Sequence, residues 1–140
     1  MSRHQSRQQA LERLFSREFH GENDIQYRET EIFVPADSGE ESQESGDDPY
    51  CTYLIQTVSA HKDELDACIR AYAKHWDVGR MNYTDRNILR LALCELLYPQ
   101  ESLAPSIVLN EAIVLAKEYS GNQSAKFING ILGAYVRDRT

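Results

Sequence analysis

Between Asp85 and Tyr98 apolar side chains fall on every side of a helical wheel: Ile88, Leu89, Leu91, Ala92, Leu93, Cys94, Leu96 and Leu97, with few charges between them. A helix that is apolar all round belongs in a core. Arg90 and Glu95 stand five positions apart and point away from each other, so each needs a partner from another element. Upstream, Ala10, Leu11, Leu14, Phe15 and Phe19 recur at helical spacing among arginines and describe an amphipathic first helix ending near His20-Gly21. Tyr27, Glu29, Glu31 and Phe33 alternate, but a lone strand has nothing to pair with, so residues 25–34 read as a short helix or an irregular segment. Leu54, Val58, Leu65, Ile69 and Tyr72 make one long helix from Tyr50 to about Trp76, or two joined by a bend near Ser59.

Gly79 and Asn82 punctuate the chain, and Thr84 is placed to N-cap the central helix with Asp85 in its first turn, where a negative charge suits the helix dipole. Pro99 stops that helix. Pro105 or Ser106 opens the next, Gly121-Asn122 closes it, and Ser124 is placed to cap the last, which runs to about Arg137. The pattern predicts an all-α protein of about six to seven helices in two three-helix halves, about 1–76 and 82–140, joined around residues 77–84.

A chain of 140 residues is one domain's worth and buries a core without covalent staples. Cys51, Cys68 and Cys94 are few, odd in number and widely spaced, which suits a reducing compartment. No signal-peptide pattern and no apolar run of membrane-spanning length is seen, so the expectation is a soluble cytoplasmic protein. The net charge of −7 argues on its own against nucleic acid. That average misleads, because residues 35–48 carry six acids and no base, leaving the other 126 residues near −1. This acidic stretch, rich in Ser and Gly, lacks the apolar content to fold and reads as a mobile loop. Residues 1–17 show the opposite bias, with four arginines and His4 against the single acid Glu12.

No Gly-rich phosphate loop, nucleophile elbow, CxxC or HExxH motif occurs, so no enzyme is expected and no cofactor is implied. His61, Glu64 and Cys68 share one helix face with His75 further on, but mixed ligands on one helix rarely close a tetrahedral site, and packing is the preferred reading. Arg3, His4 and Arg7 fall at i, i+1 and i+4 on the opening turns of the first helix, where cations oppose the dipole. Beside free backbone N–H groups they read as a phosphate pocket, or else as a solvated arm that binds nothing. Arg13 and Arg17 pair with Glu18 or face solvent. At the start of the last helix Ser124, Lys126 and Phe127 make a second anion-friendly place, where Phe127 either stacks on a base or packs in the core. Together the two ends suggest a groove that reads unpaired RNA by stacking and phosphate contact.

Three ordered motifs carry a resemblance: Asp85-Arg86-Asn87-Ile88-Leu89-Arg90-Leu91-Ala92-Leu93-Cys94-Glu95-Leu96, then Asn110-Glu111-Ala112, then Ser124-Ala125-Lys126-Phe127-Ile128-Asn129-Gly130. With His61 to Ile69, Trp76 and Arg80 upstream, and Arg7 to Phe15 more loosely, the chain resembles the NusB family of bacterial transcription antitermination factors over nearly its whole length, residues 20–50 excepted. The resemblance implies a single all-α domain over 1–140 that binds single-stranded boxA RNA and pairs with NusE, a small-subunit ribosomal protein, in the antitermination complex on RNA polymerase. Carried over by position, it implies Arg3, His4, Arg7, Ser124, Lys126 and Phe127 on the RNA side, with Asp85 and Arg86, expected to be exposed, on the NusE side. Asn110 and Glu111 are then structural, bonding a neighbouring helix end or Arg90. His4 and Gln5 stand where many relatives have arginine, which argues against tight RNA binding by the chain alone. Two rival readings are the NusB-like module fused to cytosine RNA methyltransferases, and a protein-binding adaptor or homodimer that masks its RNA surface.

Overall fold

A computed structural model describes residues 2–20, 48–73 and 81–139. The segment 25–34, the acidic residues 35–47, His75, Trp76 and the junction at 77–80 lie outside these residues, and so do the expectations attached to them. The described residues form six α-helices and no strand: α1 (Arg3–His20), α2 (Pro49–Ala60), α3 (Lys62–Tyr72), α4 (Tyr83–Leu97), α5 (Pro105–Tyr119) and α6 (Asn122–Arg139). The protein is all-α. The chain divides into two compact units, Met1–Ile55 and Gln56–Thr140, with the boundary inside α2.

In the first unit, Ala10, Leu11 and Leu14 of α1 are buried, as are Tyr50, Cys51 and Leu54 of α2. Both helices start on local chemistry. Ser2 and Gln5 form a capping box, the Gln5 N–H donating to Ser2 Oγ at 3.1 Å and the Ser2 N–H to Gln5 Oε1 at 3.0 Å. Asp48, the last acid of the acidic run, accepts from the Cys51 N–H at 3.1 Å, with Pro49 at the first helical position, where its missing N–H costs nothing. Asp48 therefore belongs to a helix start and not to a loop.

The second unit is built around α4, which packs against α3, α5 and α6. Every residue from Asp85 to Glu95 is buried, as its all-round apolar pattern requires. Of the two readings of residues 50–76, the structure takes the second: α2 and α3 are separate helices meeting at His61, two residues beyond Ser59. Arg90 finds its partner on α3, where its Nε and Nη2 donate to the two oxygens of Asp66 at 2.7 and 2.8 Å, while Nη1 donates to Asn87 Oδ1 at 3.2 Å. At the seam of α3 and α6 the Tyr72 hydroxyl donates to Asp138 at 2.6 Å, and the Tyr72 and Tyr135 rings meet edge to face. Gly121 ends α5 with φ +124°, and its N–H donates to the Ala116 carbonyl at 2.8 Å. That positive φ is the conformation glycine adopts without a Cβ penalty.

Candidate nucleic-acid interface

The N-terminal cations are arranged around one aromatic ring. The Arg3 guanidinium lies over the Tyr50 ring, 4.0 Å from its centroid, and that of Arg7 lies 5.7 Å from the same centroid. Both are within the reach at which a ring quadrupole attracts a cation. Arg3 is exposed and His4 half-buried, whereas Arg7 is only 3% exposed and Tyr50 2%. The capping box changes the expected phosphate pocket in one respect, because the Gln5 N–H is taken by Ser2 Oγ and is not available to a phosphate. Arg13 differs from either sequence reading, since its Nη1 faces Cys51 Sγ at 4.0 Å. Burial, opposed by Arg13, pushes the Cys51 thiol up and holds it protonated.

At the start of α6, Lys126 is exposed and Phe127 half-buried. Ser124 lies inside the helix, which begins at Asn122, so it is not the N-cap. Its hydroxyl donates instead to Asp85 Oδ2 at 3.0 Å, while the Ser120 hydroxyl donates to Asp85 Oδ1 at 3.2 Å. Asn82, not Thr84, caps α4: its Oδ1 accepts from the Asp85 N–H at 2.8 Å and its Nδ2 donates to Asp85 Oδ2 at 3.3 Å. Asp85 thus ties the first turn of α4 to the end of α5 and the start of α6. The expected exposure of Asp85 and Arg86 is corrected: each is 7% exposed. For Asp85 the reason is its pairing with α5 and α6, whose Ser120 and Ser124 hydroxyls both donate to its carboxylate.

Of His61, Glu64 and Cys68, the first two meet Tyr98 at the end of α4. His61 stacks on Tyr98 with centroids 3.9 Å apart, its Nδ1 lies 2.8 Å from Glu64 Oε1, and the Tyr98 hydroxyl donates to that same oxygen at 2.5 Å. The Tyr98 hydroxyl first, and then the His61 ring, hold the Glu64 carboxyl below its usual range, while the hydrogen bond it donates to Glu64 pushes the Tyr98 hydroxyl up. Among the described residues no group of three His, Cys, Asp or Glu side chains converges as a metal would require. None of the described helices is long and apolar enough to cross a membrane.

Two features escaped the sequence reading. Asp66 as the partner of Arg90 had no local signal, since the two lie 24 positions apart. The Ser2 to Gln5 spacing of the capping box was readable.

These helices define a class, an all-α protein whose apolar central helix is surrounded by its neighbours and whose first helix opens on ring-mounted arginines. The chain belongs to the NusB family, whose model matches residues 4–137. It is 42% identical over 90 residues to the transcription antitermination protein NusB of Elusimicrobium minutum, covering 64% of each chain. It is 36% identical over 138 residues to that of Heliobacterium modesticaldum, covering 99% of this chain and 64% of the other, so it spans about two thirds of the length of these relatives. A crystal structure of the antitermination factors NusB and NusE in complex with double-stranded RNA is similar across 99% of both chains, with TM-score 0.71 and 27% identity.

Proposed function

We propose that this chain is a transcription antitermination factor that binds single-stranded boxA-type RNA together with NusE, within the antitermination complex on RNA polymerase, and supports transcription of ribosomal RNA operons in the cytoplasm. It acts by binding and catalyses nothing. The observation that carries this reading is the exposed Arg3 guanidinium mounted 4.0 Å over the Tyr50 ring at the opening of α1. A guanidinium engaged through its flat face keeps its N–H donors in the plane, the geometry that suits a phosphate. Arg7, buried beside it, and His4 complete the cationic start of α1. On α6, Lys126 supplies a second phosphate contact and Phe127 a ring for an unpaired base, while Ser124 fixes their helix through Asp85.

Asp85, on the NusE side by resemblance, is buried and fixes the corner of α4, α5 and α6 that NusE meets, with Arg86 buried next to it on α4. Asn82, Ser120, Asn122 and Gln123 are exposed at that corner. The test is a titration of a boxA-type single strand, and of the same sequence as a duplex, into the protein with and without NusE. The reading requires the single strand to bind more tightly than the duplex, and NusE to tighten it further. Equal affinity for the duplex would remove the single-strand preference, and indifference to NusE would remove the partner.

A further inference from the structure

We propose that Tyr50 is a positioning residue for RNA binding, holding the exposed Arg3 in place so that its N–H edge meets phosphate already ordered, with the buried Arg7 packed beside the same ring; this rests on the RNA reading above. A long arginine at the first position of a helix has rotamer freedom that binding must suppress unless the fold has already done so. Tyr50 suppresses it. Its ring lies under two guanidiniums, at 4.0 and 5.7 Å. The ring is itself packed in place: it is 2% exposed, lies 5.1 Å from the Tyr53 ring, and sits in the first turn of a helix that starts on Asp48 and Pro49.

The arrangement also answers an electrostatic difficulty. Arg3 and Arg7 are one turn apart, and like charges at that spacing repel, while both stand at the positive end of the α1 dipole. The negative face of one aromatic ring counters both costs. α1 has no acid in its first turn.

The experiment measures affinity of the full chain for a boxA-type single-stranded RNA at several salt concentrations, for Tyr50→Phe, Tyr50→Leu, Arg3→Gln, Arg3→Lys and the Tyr50→Leu/Arg3→Gln pair. Tyr50→Phe keeps the ring and is expected to bind within about twofold of wild type. Tyr50→Leu should weaken binding by about 2- to 30-fold, the range of a cation–π contact, with the slope against log salt little changed. The pair should lose less than the product of the two single losses, because both changes remove one arrangement. Arg3→Lys is exposed and safe for folding; it keeps the charge but not the flat stacking surface, and should weaken binding several-fold at unchanged slope. Wild-type affinity in both Tyr50→Leu and Arg3→Lys, or fully multiplicative losses in the pair, would overturn the positioning role while leaving the RNA reading in place. Wild-type affinity in Arg3→Gln would overturn both.

Discussion

Asp85 accepts side-chain hydrogen bonds from Asn82, Ser120 and Ser124 while its own N–H is capped by Asn82. As an exposed first-turn acid it would contribute under about 1 kcal/mol through dipole and cap effects; buried and shared among three helices, it contributes more. Asp85→Asn keeps the size but loses the charge that two hydroxyls donate to, and is expected to cost about 1–2 kcal/mol. Asp85→Lys places an unpaired ammonium in that corner and should cost roughly 3–5 kcal/mol. Urea denaturation of the two variants checks this, and a Lys variant within 1 kcal/mol of wild type would contradict the observed burial. The sequence showed an acid near a helix start, which is true. It could not show that Ser120 and Ser124, 35 and 39 positions away, turn toward that acid, and so Thr84 and Ser124 looked like caps when Asn82 and the turn at Gly121 do that work.

Between elements, α3 and α4 are joined by two polar clamps of different character. In one, Arg90 meets Asp66 with two bonds, and the side chains are 5% and 16% exposed. Asp66→Ala leaves the guanidinium buried without its carboxylate and is expected to cost roughly 3–5 kcal/mol, whereas replacing both partners with apolar residues of similar volume should recover most of the loss. Thermal melts of the single and double variants separate these outcomes. The other clamp is exposed and titrates. Glu64, bonded by Tyr98 and His61, has a folded pKa below its ordinary 4.5. A depressed carboxyl contributes stability above its unfolded pKa and loses it as pH falls through the lower folded value. The melting temperature should therefore decline below about pH 4.5 more steeply in wild type than in Glu64→Gln, and parallel declines would show that the clamp adds nothing. The apolar periodicity of α4 made the central helix legible, because burial on all sides leaves a pattern. The clamps left none, since a surface Asp66 or Glu64 looks the same in sequence whether or not a distant helix meets it.

Across the whole molecule, charge is divided by position: net −7, six acids within residues 35–48, four arginines within residues 1–17. RNA binding by such a chain has to depend on a few placed cations and not on a general basic field. Arg3 and Lys126 are exposed, while Arg7 is 3% exposed. Reversing Arg7 would put a carboxylate into the interior of the first unit and confuse binding with folding, so Arg3→Glu and Lys126→Glu are the informative changes. With two phosphates neutralised on a single strand, by Arg3 and Lys126, log K should fall against log salt with a slope of about −1.4, at ~0.7 per contact. The Arg3→Glu/Lys126→Glu variant should weaken binding and flatten that slope by about 1.4. Phe127→Ala should behave differently, losing roughly 1–3 kcal/mol of a base stack at unchanged slope, with circular dichroism showing whether the half-buried ring also supports α6. If the double reversal keeps both wild-type affinity at low salt and the wild-type slope, neither cation touches RNA, and Arg3 is a solvated side chain mounted on Tyr50.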